Sequence, residues 1–165
     1  MKLYLALNGG LHDAAVAAWG AKRTYQAPRP ISMIRYMAFQ GQSSDRKAPS
    51  YNAEGLPLVP GLIKLRNGQV VVRTRTGWVL GTRWTPARPT PPSPGWVSDG
   101  SAFASAADVV LGRAVARVAA QAEDSGLEAG IDIPADDRAG QKLGAVAGRN
   151  ALALARRYFA GTALR

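Results

Sequence analysis

Lys22 and Arg29 flank a proline-bearing turn, AKRTYQAPRPIS. Lysine supplies a point charge and arginine a planar fork, a pairing that suits a tetrahedral oxyanion. Further along, PPSPGWVSDGSAF at 91–103 passes from prolines that forbid helix to small residues that permit one. Ser98 then stands at a helix N-terminus, where its hydroxyl and the N–H groups after it offer neutral donors to an anion. Asp99 sits among those donors. A helix start welcomes a carboxylate, so an acid capping the helix is one reading. The other is a rebuilt site in which Asp99, Asp132 and Asp136 gather a divalent cation through oxygen or act as an acid/base pair. The chain has one histidine, His12, and no cysteine. Two-histidine metal sites and Cys/His dyads are excluded within one chain. His12 lies ten residues before Lys22. On a continuous helix that is about 15 Å, too far to join the lysine, and His12 reads as structural.

The charge around these residues is uneven. The net charge is +10. Residues 1–98 hold 13 Lys/Arg and 3 Asp/Glu, whereas 99–165 hold 8 of each. The excess therefore precedes the Ser98 junction, and it favours anionic partners: a phosphate-like ion, nucleic acid or an acidic surface. Scattered solvated cations are the plain alternative.

The elements that must position these residues follow from periodicity. Residues 3–21 predict a helix with Leu3, Leu7, Leu11, Ala14, Ala15, Ala18 and Trp19 inward, interrupted by Gly9-Gly10. Residues 31–40 predict a short second helix with Met33, Ile34, Met37 and Ala38 inward. The stretch 41–97 lacks helical period. It reads as a long irregular excursion, broken by Pro57, Pro60 and Gly61, with a strand or hairpin over QVVVRTRTGWVL at 69–80. A third helix is expected from Ser101 to about Ala122, presenting Phe103, Ala107, Val110, Leu111, Ala114 and Val118 on one face. A fourth, capped by Asp136 or Asp137, runs to about Ala160. In it Gly140, Gly144 and Gly148 recur every fourth residue and form a smooth ridge for close helix packing, which must offset roughly 1 kcal/mol per glycine. The result is a single all-α domain over 1–165, a bundle of about four main helices with a partly β loop region at 41–97. No apolar run reaches the ~20 residues of a membrane span, and the N-terminal stretch reads as an amphipathic helix, so the expected location is cytoplasmic.

Taken together, three segments resemble the vanadium-dependent haloperoxidases of bacteria, which share a helical fold and anion site with the type 2 phosphatidic acid phosphatases. LNGGLHDAAVAAWGAKRTYQAPRPISMIRY resembles their Lys-x6-Arg-Pro segment. TPPSPGWVSDGSAFASAADVVL is similar to their Pro-x-x-x-Ser-Gly-His-Ser segment, and DSGLEAGIDIPADDRAGQKLGAVAGR to their Ser-Arg-x5-His-x3-Asp segment. The resemblance implies an oxyanion site at Lys22, Arg29 and Ser98, with Asp136 as the aspartate supporting the second family histidine. It also exposes losses. Asp99 stands at the family glycine, Gly100 at the first histidine, Gly126 at the second arginine, and Asp132 at the histidine that bonds vanadium or attacks phosphorus. Neither catalytic imidazole is present, so vanadate is implied by the family with an incomplete ligand set, and weak phosphate or vanadate binding is expected. Family members carry further helices before the Lys-x6-Arg-Pro segment. A chain that starts almost at that segment predicts a truncated bundle with an exposed apolar face, which a homo-oligomer or a lost N-terminal portion would explain. The leading expectation is a degenerate family member with a residual basic pocket. The alternatives are the carboxylate–metal hydrolase and a non-enzymatic module for nucleic acid or acidic surfaces.

Overall fold

The computed structural model describes residues 1–112 and 126–163. These divide into two compact units, one formed by 1–28 with 91–165 and the other by 29–90.

The first unit is built on α1 (Lys2–Tyr25), α3 (Asp99–Leu111) and α4 (Pro134–Phe159), each packed against the other two. Residues 126–129 are also helical. The inward stripe of α1 is Ala6, Gly10, Ala14, Ala18 and Lys22, an i, i+4 row of small residues ended by a cation. Leu3 and Trp19, expected inside, are 56% and 53% exposed. The reason is spacing between helices: at close approach a small side chain fits the contact and a large one cannot. The same correction applies to α3, whose buried row is Ser101, Ala102, Ala106 and Val110, with Phe103 partly buried beside it. Ala107 and Leu111 are only partly buried, and Ala114 and Val118 fall outside the described residues.

The glycine ridge does what its spacing predicts. A Cβ on Gly140 would collide with the Ser98 carbonyl and lie 3.0 Å from the Ser101 Cβ. One on Gly144 would collide with the Ala102 carbonyl, and one on Gly148 would sit 2.8 Å from the Ala106 carbonyl. On α1, a Cβ on Gly10 would lie 3.3 Å from Val110 and 3.6 Å from Ala151, a close fit without collision. The unit's core is accordingly made of alanines: Ala14, Ala106 and Ala147 in one layer, Ala18 and Ala102 with Val97 in another. α1 stops where Gln26 turns left-handed (φ 44°) and returns its N–H to the Lys22 carbonyl. The cap of α4 differs from expectation. Ile133 holds the N-cap position, and Asp136, in the first turn, accepts the Ile133 N–H at 3.3 Å.

The second unit packs α2 (Pro30–Gln40) with a three-stranded antiparallel sheet, β1 (Ile63–Arg66), β2 (Gln69–Thr74) and β3 (Gly77–Leu80), in sequential order. Pro30 opens α2 because its missing N–H is not needed there. Ala38, Leu56, Val70 and Val72 form the core, flanked by Ile34, Met37, Ile63 and Leu65. Met33, expected inward, is 45% exposed. The 69–80 hairpin is present as predicted. β1 is additional: Asn67-Gly68, both at positive φ (52° and 73°), turn it onto β2, with Arg66 opposite Gln69.

Among the described residues no helix is long and apolar enough to cross a membrane. Replacing Gly144 with alanine is expected to destabilise the protein by roughly 1–3 kcal/mol, the cost of forcing bulk into a full contact. Gly9 has nothing within 4 Å of its would-be Cβ. Gly9→Ala should therefore stabilise α1 by up to about 1 kcal/mol. Urea unfolding of the two variants reads both signs.

Candidate functional site

The last turn of α1 and the first turn of α3 bring together part of the expected site. Lys22 is completely buried. Its Nζ donates to the Pro94 carbonyl at 2.6 Å and lies 3.8 Å from Asp99 Oδ1. Asp99, whose side chain is 35% exposed, is thus an ion-pair partner of the lysine as well as an acid at a helix start. Ser98, and not Asp99, is the N-cap of α3, and its Oγ accepts the Ser101 N–H at 3.4 Å.

Ser98 is 4% exposed and held from several sides. Its backbone N–H donates to the Asp136 carbonyl at 3.1 Å. Its hydroxyl donates to Asp132 Oδ2 at 3.1 Å and lies at the same distance from the Ser101 hydroxyl. Ser101 in turn donates to Asp137 Oδ1 at 2.8 Å. A row of oxygens therefore runs Asp137–Ser101–Ser98–Asp132 between α4, α3 and the loop ahead of α4. Ser101 and Asp137 were not among the sequence-derived candidates. The signal was available: a serine three residues after an N-cap serine points back along the same face.

The other positions are placed as follows. Asp132 Oδ2 would lie 3.2 Å from a Cβ on Gly126, so residue 126 and Asp132 are neighbours. Gly100 is exposed, and the nearest atom to its would-be Cβ is Ser98 Oγ at 3.9 Å. Asp136 is buried, with its carboxylate turned to the Ile133 N–H and 3.4 Å from the would-be Cβ of Gly95. Arg29 belongs to the second unit, where it is the N-cap of α2 and its carbonyl accepts the Ser32 and Met33 N–H groups. His12 lies at the surface with its side chain 75% exposed, 3.5 Å from Asp13. Among the described residues no group of three or more His, Cys, Asp or Glu side chains is arranged to hold a metal ion.

An apolar groove of about 970 Å³ runs along the first unit between α1 and α4, over Trp96 and Val97, with Arg138 and Lys142 on one rim. None of Lys22, Ser98, Asp99, Asp132 and Asp136 lines it. Chemically, then, the Lys22–Ser98 region is a set of anion donors already facing carboxylates. Each donor is near an acid supplied by the chain itself.

A family model described as the VCPO second helical-bundle domain matches residues 2–117, more than half of the chain. The match spans Lys22, Arg29 and the 98–100 junction and ends before Gly126, Asp132 and Asp136. No curated protein matches the chain.

Among the described residues the Ser101 hydroxyl is the single hydrogen-bond partner of the buried Asp137 carboxylate, whose Oδ2 has none. Ser101→Ala should therefore cost about 1–3 kcal/mol, the penalty for orphaning a buried acceptor. Asp137→Asn, which keeps a carbonyl oxygen facing Ser101, should cost less. Thermal unfolding followed by circular dichroism ranks the two.

Proposed function

The chain belongs to the vanadium haloperoxidase superfamily, and on that premise we propose that it is a catalytically degenerate member in which the chain's own acids meet the oxyanion donors. The carrying observation is the pair of contacts Lys22–Asp99 and Ser98–Asp132, at 3.8 and 3.1 Å. In the family pattern these donors face phosphate or vanadate. Here a carboxylate answers each of them.

The residues present do not fit vanadate. Asp132 stands where the resemblance expects an imidazole, and its oxygen already accepts the Ser98 hydroxyl. A carboxylate beside an oxyanion repels it: at 4 Å and an effective dielectric of about 20 the interaction is on the order of 4 kcal/mol, less where water screens it. Gly126 supplies no guanidinium and Gly100 no proton-transferring ring. At the family positions 100 and 132 no imidazole is available for the acid/base step or for bonding vanadium. What remains is a basic residual pocket of low oxyanion affinity. A rebuilt carboxylate–metal site is disfavoured by the lack of a metal-holding cluster among the described residues.

Two measurements test this reading. After vanadate loading, bromide oxidation and hydrolysis of a generic phosphomonoester should both stay at the protein-free baseline. Clear turnover abolished by Lys22→Ala would overturn the degenerate assignment. The double variant Asp99→Asn, Asp132→Asn should bind orthophosphate or vanadate at least about tenfold more tightly than the parent in calorimetry, because the two removed charges together relieve more than ~1.4 kcal/mol of repulsion. Unchanged affinity in a folded double variant would sink the idea that the acids block the site.

A further inference from the structure

The second unit carries most of the protein's net charge. Residues 29–90 hold 10 Lys/Arg against 2 Asp/Glu, a balance of +8 out of the whole chain's +10. No acidic residue occurs between Glu54 and Asp99. The three strands all fall inside that acid-free stretch.

The sheet has two unlike faces. Val70 and Val72 of β2, with Ile63 and Leu65 of β1, pack into the unit's core. Directly paired residues share a face, and alternate residues along a strand do too. Lys64 pairs with Val71, Val71 with Leu80, Arg66 with Gln69, and Arg73 with Trp78. The opposite face therefore carries Lys64, Arg66, Arg73 and Trp78 around Val71, which is buried, and Leu80, which is half-buried. The three cations are exposed and Trp78 is half-buried. The Lys64 ammonium lies 4.2 Å, and the Arg73 guanidinium 5.7 Å, from the centre of the Trp78 ring. Lys64 is two strands away from Trp78, so the ammonium and the indole meet over β2. Among the described residues no carboxylate pairs with any of the three cations.

We propose that this outer face of the β1–β2–β3 sheet binds single-stranded nucleic acid. An indole flanked by cations on a sheet face is a stacking platform for a base, and the surrounding Lys and Arg side chains match the phosphates on either side of it. As a base takes the ring, the Lys64 ammonium is released to an adjacent phosphate, so the cation that holds the platform open becomes a backbone contact. A double helix hides its bases and offers the indole nothing. A highly sulfated polysaccharide or an anionic bilayer offers charge without a stacking face.

The test is fluorescence anisotropy of the full chain with labelled oligothymidylate of about 15 nucleotides, titrated across salt. Binding is expected, with a log–log salt slope near −2 for about three phosphate contacts at ~0.7 each. Trp78→Leu, which keeps an apolar side chain and removes the ring, should weaken binding about tenfold with the slope unchanged. Trp78→Phe should retain most of the affinity. Lys64→Gln and Arg66→Gln, both at exposed positions, should each make the slope shallower by about 0.7. No binding at low salt overturns the proposal. So does binding that Trp78→Leu leaves intact, or that is matched by a duplex of equal length, by heparin or by anionic vesicles; either result makes the face a general polyanion patch.

Discussion

At Gly140 and Gly144, α4 meets α3 so closely that a methyl group at either position would collide with a backbone carbonyl. The helical unit is organised around that distance. A core of alanines buries little apolar surface per residue, at about 0.8 kcal/mol per methylene. Such a core holds only if backbone approaches backbone and dispersion contacts accumulate along the whole seam. Ala6, Gly10, Ala14 and Ala18 extend the same rule to α1. Large apolar residues are consequently pushed outward: Leu3, Leu5, Val16 and Trp19 are each more than half exposed.

The seam also fixes the chemistry at its end. Gly140 faces the carbonyl of Ser98 itself and the Cβ of Ser101. Asp136 and Asp137 lie one turn earlier on the same helix. The close contact thus sets where Ser98 receives its backbone acceptor and where Ser101 finds its carboxylate. Lys22 closes the small-residue row of α1 at the same level, fully buried, with a carbonyl and Asp99 as partners. The backbone geometry of the seam rests on glycines and alanines, and residues 99, 100, 126 and 132 are not among the nearest neighbours of its glycines.

Much of this was readable in advance, and the misses share a cause. Gly140, Gly144 and Gly148 predicted the seam from their spacing alone. The 69–80 hairpin followed from β-branched alternation. The inward faces of α1 and α3 differ from expectation because bulk and hydrophobicity select Leu3 and Trp19, whereas a close contact selects size. The signal was the small-residue period on α1, which mirrors that of α4. β1 was obscured by Pro57, Pro60 and Gly61 just ahead of it, although Asn67-Gly68 marks a two-residue hairpin turn. At the site, Lys22, Ser98 and Asp99 were legible as neighbours of one helix junction. Pairing Ser98 with Asp132, or Ser101 with Asp137, requires the fold, since 34 and 36 residues separate the partners.

The helical unit is discontinuous in the chain, leaving at Pro28 and resuming at Pro91. The Gly95 N–H donates to the Ala27 carbonyl at 2.8 Å, tying the outgoing and returning strands together. During folding, α1 therefore meets α3 and α4 only after the chain has closed a loop of more than sixty residues. The closure entropy is roughly 4 kcal/mol before any seam contact offsets it. The sheet unit, whose strands are joined by two-residue turns, needs no such closure. The two units therefore differ in contact order: the sheet's pairings are local along the chain, whereas the helical seam joins segments more than sixty residues apart.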